Sequence, residues 1–126
     1  MTGSERKELH WLDDLKEAIE KIESHPKFGE GLQGLETDEY FRVWVFYHIE
    51  RIGECASRLR QQFNYDEVHP DIDWKGAVGM RRRLVHQYWR ADLAKVWEGV
   101  EYLSMMRGKV EAIIDMRKAD GPEPVP

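Results

Sequence analysis

A chain of 126 residues fits one domain and leaves little room for a second. Its 41% hydrophobic, 34% charged and 11% aromatic residues make a foldable mixture, too apolar for a disordered chain. The single cysteine, Cys55, excludes an internal disulfide framework and a cysteine-rich zinc site within one chain, and it agrees with a reducing compartment. The longest uninterrupted apolar run, Val43-Trp44-Val45-Phe46-Tyr47, falls far short of the roughly 20 residues of a membrane span. From Met1 to Lys7 the chain leads into a charged segment, unlike a secretory leader. The expectation is a soluble cytoplasmic protein with no membrane contact.

The prolines divide the chain into long helix-permitting stretches, because they fall at Pro26, at Pro70 and then at Pro122, Pro124 and Pro126. A first helix is predicted from about Ser4 to Ser24, with Leu12, Leu15, Ile19 and Ile22 along one stripe. The segment from His25 to Gly34 reads as a loop of turn formers. Thr37, followed by Asp38 and Glu39, is the predicted cap of a second helix that runs to about Phe63. That helix turns Phe41, Val45, Ile49, Ile52, Ala56, Leu59 and Phe63 inward, while Trp44 and Tyr47 widen its apolar face toward more than one neighbour.

Asn64 to Asp71 is the next connection, and a third helix is predicted from about Ile72 to the Arg81–Tyr88 segment. Asp92 then caps a fourth helix through Leu93, Val96, Trp97, Val100, Leu103, Val110, Ile113 and Ile114. No segment alternates with period two between hairpin turns, and no internal repeat is visible. The predicted fold is all-α: an antiparallel up-and-down four-helix bundle that dimerises, one domain over residues 1–118, with a flexible tail over 119–126. Gly53 in the second helix and Gly76 and Gly79 in the third are weak helix formers, tolerated where another helix approaches closely, within the chain or across a dimer.

The net charge of −5 hides an asymmetry. Between Trp74 and Ala91 there is no acidic residue, while Lys75, Arg81, Arg82, Arg83 and Arg90 supply five positive charges. The remaining 14 basic and 24 acidic residues balance at −10. Such an island is either a solvated basic face or a place that attracts a phosphate or an acidic partner.

Within the island, Arg81-Arg82-Arg83-Leu84-Val85-His86-Gln87-Tyr88 forms an R-x4-H-x-Y arrangement, preceded by Trp74-Lys75-Gly76-Ala77-Val78-Gly79-Met80. It resembles the signature of the HEPN superfamily, specifically its HepT-like toxin branch. Ile52-Gly53-Glu54-Cys55-Ala56 looks like that branch's I-G-E-A segment, Pro70-Asp71-Ile72-Asp73-Trp74 looks like the turn opening its third helix, and Val96-Trp97 falls where it often has an aromatic. The matches span residues of about 9 to 115. Arg82 departs from the asparagine that many members carry after the motif arginine, and Gln87 departs from their usual glycine.

The resemblance implies a homodimeric, metal-independent ribonuclease whose motif residues from two subunits share one cleft. Cleaving RNA without a metal needs a base, an acid and cationic donors on the phosphorane. His86 can serve in either proton role, and Arg81 offers an always-charged fork for phosphate oxygens. Five residues turn through about 500° on an ideal helix, so Arg81 and His86 do not share a face of a straight one. The site therefore needs the helix to end or bend near His86, or a second subunit. Lys75, Arg82, Arg83 and Arg90 are either surface charges or further phosphate contacts.

The resemblance also implies an MNT-type nucleotidyltransferase antitoxin that transfers AMP from ATP to Tyr88, so that ATP is used by the partner and the chain itself needs no cofactor and no metal. Glu54 either orients a motif arginine or faces solvent. His10, His25, His48 and His69 read as surface or packing residues, Cys55 as a small buried apolar residue, and the tryptophans as packing, with Trp89 close enough to the motif to stack on a nucleotide. Two readings from other classes use the same helices. One is a non-catalytic subunit that docks on a nucleotidyltransferase and positions its substrate; the other is a purely structural helical dimer.

Overall fold

The computed structural model describes residues 2–87 and 92–120, and of residues 85–87 it describes the backbone alone. Helix α1, Gly3–Glu23, opens on a reciprocal cap: the Thr2 hydroxyl accepts from Glu5 N at 3.0 Å while the Glu5 carboxylate accepts from Thr2 N at 3.0 Å. It buries the expected stripe together with Leu9 and Ala18.

The segment expected as a loop, 25–34, carries more order. It contains a 3-10 turn, Phe28–Glu30, and the start of a seven-residue helix, α2, Gly31–Thr37. Gly31 adopts φ +61 at the junction, a conformation that favours glycine. Thr37 does not cap the next helix; it ends α2, its hydroxyl donating to the Gln33 carbonyl at 2.8 Å. The cap belongs to Asp38, whose Oδ1 accepts from Phe41 N at 3.0 Å at the start of α3, Glu39–Phe63.

The connection after α3 includes a single helical turn, α4, Tyr65–Val68. Helix α5, Trp74–Gln87, begins two residues later than expected, with Asp73 Oδ1 accepting from Gly76 N at 2.9 Å in its first turn. Helix α6, Leu93–Ala119, is capped by Asp92, which accepts from Ala94 N and Lys95 N at 3.1 and 3.3 Å.

The described residues are therefore all-helical, in six α-helices where four were expected. Helix α1 packs along both α3 and α6, α3 packs along α5, and α5 touches α6. Helices α1 and α3 run in opposite directions, since Trp44 Nε1 donates to the Lys21 carbonyl at 2.8 Å while Arg51 pairs with Asp14. Helices α1 and α6 do the same, with Glu23 bonded to Arg107 and Glu8 beside Arg117.

The core draws on every element except the 3-10 turn. Phe63 is only half-buried, and the apolar face of α3 is incompletely covered: Trp44 closes the end of α1, but Tyr47 is 59% exposed. One buried polar cluster ties distant segments together. Glu8, 6% exposed, accepts from the Tyr65 hydroxyl at 2.5 Å and lies 3.1 Å from Arg117 Nε. Burial and the Glu8 carboxylate push the Tyr65 phenol well above its ordinary range. No helix among the described residues is long and apolar enough to cross a membrane.

Candidate active site

Helix α5 buries Trp74, Ala77, Met80 and Leu84 at helical spacing, and this stripe sets the rotation of the motif. Arg81, next to the stripe, is turned onto α3 opposite Gly53. A Cβ at Gly53 would stand 2.8 Å from Arg81 Cδ and 3.0 Å from its Cγ, and closer still to its Cβ. The glycine thus lets the arginine stem lie directly on the backbone of α3. Gly76 and Gly79 have other settings. The nearest atoms to Gly76 belong to Asp73 of its own first turn, and Gly79 has nothing against it, so neither marks a close helix approach among the described residues.

The next residue on α3 meets the arginine head. Glu54 Oε2 lies 3.6 Å from Arg81 Nη1, and Glu54 Oε1 accepts from Arg58 Nε at 2.9 Å. The tighter bond goes to Arg58, and Arg81 Nε is enclosed without a hydrogen-bond partner among the described residues. Both side chains of the Arg81–Glu54 pair are 38% exposed, so solvent screens it and its direct contribution to stability is at most about 1 kcal/mol. The pair leaves the Arg81 guanidinium without a hydrogen bond to protein among the described residues.

Arg81 and Glu54 line an open groove of about 300 Å³ with Asp14, Tyr47, Glu50 and Arg51. Arg51 pairs with Asp14 and lies 3.8 Å from Glu17. Cys55 is buried, and its thiol donates to Asp14 Oδ2 at 3.4 Å. Burial, with Asp14 beside it, pushes the thiol far above its ordinary range, which disfavours the thiolate.

Lys75, Arg82 and Arg83 are exposed on α5. His86 lies on the same helix, which is described as far as Gln87; its side chain lies outside the described residues, as do Tyr88, Trp89 and Arg90. His48 and His69 pack, while His10 is exposed. His48 Nδ1 donates to the Trp44 carbonyl at 2.8 Å and its ring is buried, which lowers its pKa. His69 stacks near Tyr65 at 4.7 Å, and burial together with Arg117 lowers its pKa as well. Trp74 is buried with its Nε1 donating to the His69 carbonyl at 3.0 Å, and Trp97 packs on Phe28 and Phe41.

Arg58, Arg51 and Asp14 join the site without having been singled out from the sequence, and Tyr47, expected only as part of the apolar face of its helix, joins it too. The four-residue spacing of Glu54 and Arg58 is a readable pairing signal on a helix. The other three depend on how α1 and α3 are aligned.

The geometry sits within a region that matches a known family. The family model for HepT-like ribonucleases matches residues 15–113, which include Gly53, Glu54, Arg81 and His86. A Thermococcus cleftensis protein named probable ribonuclease HepT is 30% identical over 112 residues, covering 86% of this chain and 96% of that protein. A Caldanaerobacter subterraneus protein provisionally named an RNase is 30% identical over 71 residues, 56% of this chain and 62% of its own length. A Methanocaldococcus jannaschii protein, also provisionally named an RNase, is 37% identical over 54 residues, 43% of this chain and 45% of its own. No solved structure matches the chain. With the family match covering most of the chain and the first relative aligned over nearly its full length, the chain belongs to the HepT-like ribonuclease family of the HEPN superfamily.

Proposed function

We propose that this chain is the toxin of a type VII-like toxin–antitoxin pair, a metal-independent endoribonuclease that acts in the cytoplasm as a homodimer. The observation that carries this reading is the seat of Arg81: it lies across Gly53 beside Glu54, inside the stretch matched by the ribonuclease family. An arginine held by its stem, with its donors open, suits a phosphate.

In the proposed reaction one His86 takes the proton of a ribose 2′-hydroxyl, and that oxygen attacks the adjacent phosphorus. The Arg81 guanidinium offsets the charge gathering on the phosphorane oxygens. The second subunit's protonated imidazole gives its proton to the departing 5′-oxygen. The products are a 2′,3′-cyclic phosphate and a 5′-hydroxyl. Twofold symmetry supplies the second Arg81/His86 pair near one axis, which separates the acid from the base. Glu54 acts as a positioning residue, while Lys75, Arg82, Arg83 and Arg90 contact flanking phosphates.

Silencing follows from a nucleotidyltransferase partner. The Tyr88 oxygen attacks the α-phosphorus of ATP, pyrophosphate leaves, and the AMP group adds a bulky anion two residues from His86. That anion obstructs the cleft and repels RNA.

Growth and intact mass test the proposal together. Expression of the wild type arrests growth, expression of His86→Ala does not, and co-expression of the nucleotidyltransferase relieves the arrest while adding the mass of AMP. Tyr88→Phe remains toxic beside the partner. Equal toxicity of His86→Ala contradicts the catalytic assignment. Activity confined to the complex, with Arg81→Lys tolerated, moves the chain to the role of a binding subunit.

A further inference from the structure

The acidic excess of the chain occupies most of its arginines. Among the described residues, Arg51, Arg58, Arg60, Arg81, Arg107 and Arg117 each lie within 4.0 Å of a carboxylate, and Arg42 donates to the carbonyls of Leu35 and Glu36. Arg82 and Arg83 on α5 and Arg6 on α1 are the described arginines with neither kind of partner. Arg6 adjoins Lys7, which likewise has no carboxylate within reach among the described residues. Arg6 and Lys7 line an open groove of about 510 Å³ with Gly3, His10, Trp11 and Gln62, and no carboxylate among the described residues lines it.

This groove continues the seam between α1 and α3 that holds the Arg81 groove. On α1, Gly3, Lys7 and His10 lead to Asp14, which lines the Arg81 groove; on α3, Gln62 and Arg58 lead to Glu54. The Arg58 guanidinium lies 5.7 Å from the centre of the Trp11 ring, while its Nε bonds the same Glu54 that faces Arg81. From Glu54 to Gln62 the path is about 12 Å along the helix, enough for a few nucleotides of a single strand.

We infer that the Arg6/Lys7/Trp11 groove is an RNA subsite of the ribonuclease, binding the strand a few nucleotides away from the scissile phosphate. The inference rests on the ribonuclease reading above. Unpaired point cations beside an aromatic ring are the features that bind single-stranded nucleic acid without strict sequence preference: the cations hold phosphates, and flat surfaces such as the Trp11 indole and the Arg58 guanidinium take bases. Arg6 and Lys7 take the phosphates, and Trp11 with Arg58 takes a base.

The test is the binding of fluorescent RNA strands with every 2′-hydroxyl methylated, which blocks cleavage, to the full chain and to Arg6→Ala/Lys7→Ala. A ten-nucleotide strand binds the wild type about tenfold more tightly than a four-nucleotide strand, and the double variant loses that gain. Its log–log salt slope falls by about 1.4, since each phosphate that a cation no longer neutralises removes roughly 0.7 from the slope. Both side chains are exposed, so an unchanged circular dichroism spectrum and melting temperature confirm the fold of the variant. Equal affinities and salt slopes for the two proteins overturn the inference. So does a double variant that binds RNA normally but loses the nucleotidyltransferase, since the groove is then a protein-binding surface. A wild type that binds through the groove yet never cleaves unmethylated RNA overturns the ribonuclease reading and leaves RNA binding by the groove standing. A wild type that binds no RNA overturns the inference, and its cleavage of unmethylated RNA then decides the ribonuclease reading separately.

Discussion

A methyl group on Gly53 would stand 2.8 Å from Arg81 Cδ and 3.0 Å from its Cγ, so the site arginine is seated by the absence of a side chain on the facing helix. Gly53→Ala sets two effects against each other. Alanine favours an α-helix by about 1 kcal/mol over glycine, while overpacking a close contact costs about 1–3 kcal/mol. The clash reaches the root of the Arg81 side chain, so α5 itself must shift, and the cost wins. Gly53→Ala is expected to lower stability by up to about 2 kcal/mol in urea unfolding, with a fall in RNA cleavage of tenfold or more under conditions where the variant stays folded.

Gly99→Ala is the matching control. Its Cβ would meet Met80 Sδ at 2.6 Å and the methionine methyl closer still, but that is the flexible tip of a side chain. The methionine can swing aside, and stability is expected to stay within about 1 kcal/mol of the wild type. Urea unfolding of the two variants side by side separates backbone displacement from a mere change of helix propensity.

Glu54 shares its carboxylate between Arg58 and Arg81. Glu54→Gln removes the charge and leaves the shape, and because both ion pairs are partly exposed the stability change is expected to stay below about 1 kcal/mol. If Glu54 orients Arg81, kcat falls about tenfold while KM holds or decreases, since removing a negative charge favours phosphate binding. Steady-state cleavage kinetics check it. An unchanged kcat refutes the positioning role.

The buried Glu8 carboxylate depends on the Tyr65 hydroxyl. Tyr65→Phe keeps the ring and removes the donor, and the loss is expected to be about 1–3 kcal/mol. Chemical denaturation measures it directly.

His48 and His69 both have pKa values lowered from 6.5, chiefly by burial. In the unfolded chain they protonate as the pH falls through that value; in the folded chain they resist. Their contribution to stability is therefore fully present above about pH 6.5 and is lost as the pH falls through the lowered folded values. The melting temperature is expected to drop between pH 7 and 5.5 more steeply for the wild type than for His48→Gln.

Much of the architecture was legible because long helices write regular stripes. Leu12 to Ile22 and Phe41 to Leu59 are buried as their spacing requires, and Asp92 caps α6. The short elements were not legible, for physical reasons. Helix α2 is seven residues with glycines at 31 and 34, and Gly31, at positive φ, lies beside Trp97, far away in sequence. Helix α4 is one turn, held by Tyr65 reaching a carboxylate 57 residues earlier.

At the site, the spacing of Arg81 and His86 and the Ile52–Ala56 segment were readable, but the identity of the Gly53 neighbour was not. The same reasoning that suits Gly53 finds no neighbouring helix against Gly76 or Gly79 among the described residues, which leaves only the partner across a dimer that the sequence also allowed, because a glycine in a helix does not say which of its faces is crowded. The Arg58–Glu54 pair was within reach of the four-residue rule, whereas Asp14 and Arg51 required the alignment of two helices.

The most direct measurement is the single-turnover rate of cleavage of labelled single-stranded RNA in excess EDTA by the wild type, Arg81→Ala and His86→Ala, with helicity and oligomeric state recorded on the same samples. The account predicts that the wild type cuts and leaves 2′,3′-cyclic phosphate ends, and that each variant is slower by at least a hundredfold while folding and assembling normally. Cleavage by His86→Ala at the wild-type rate, or the failure of an unmodified wild-type dimer to cut at all, would contradict it.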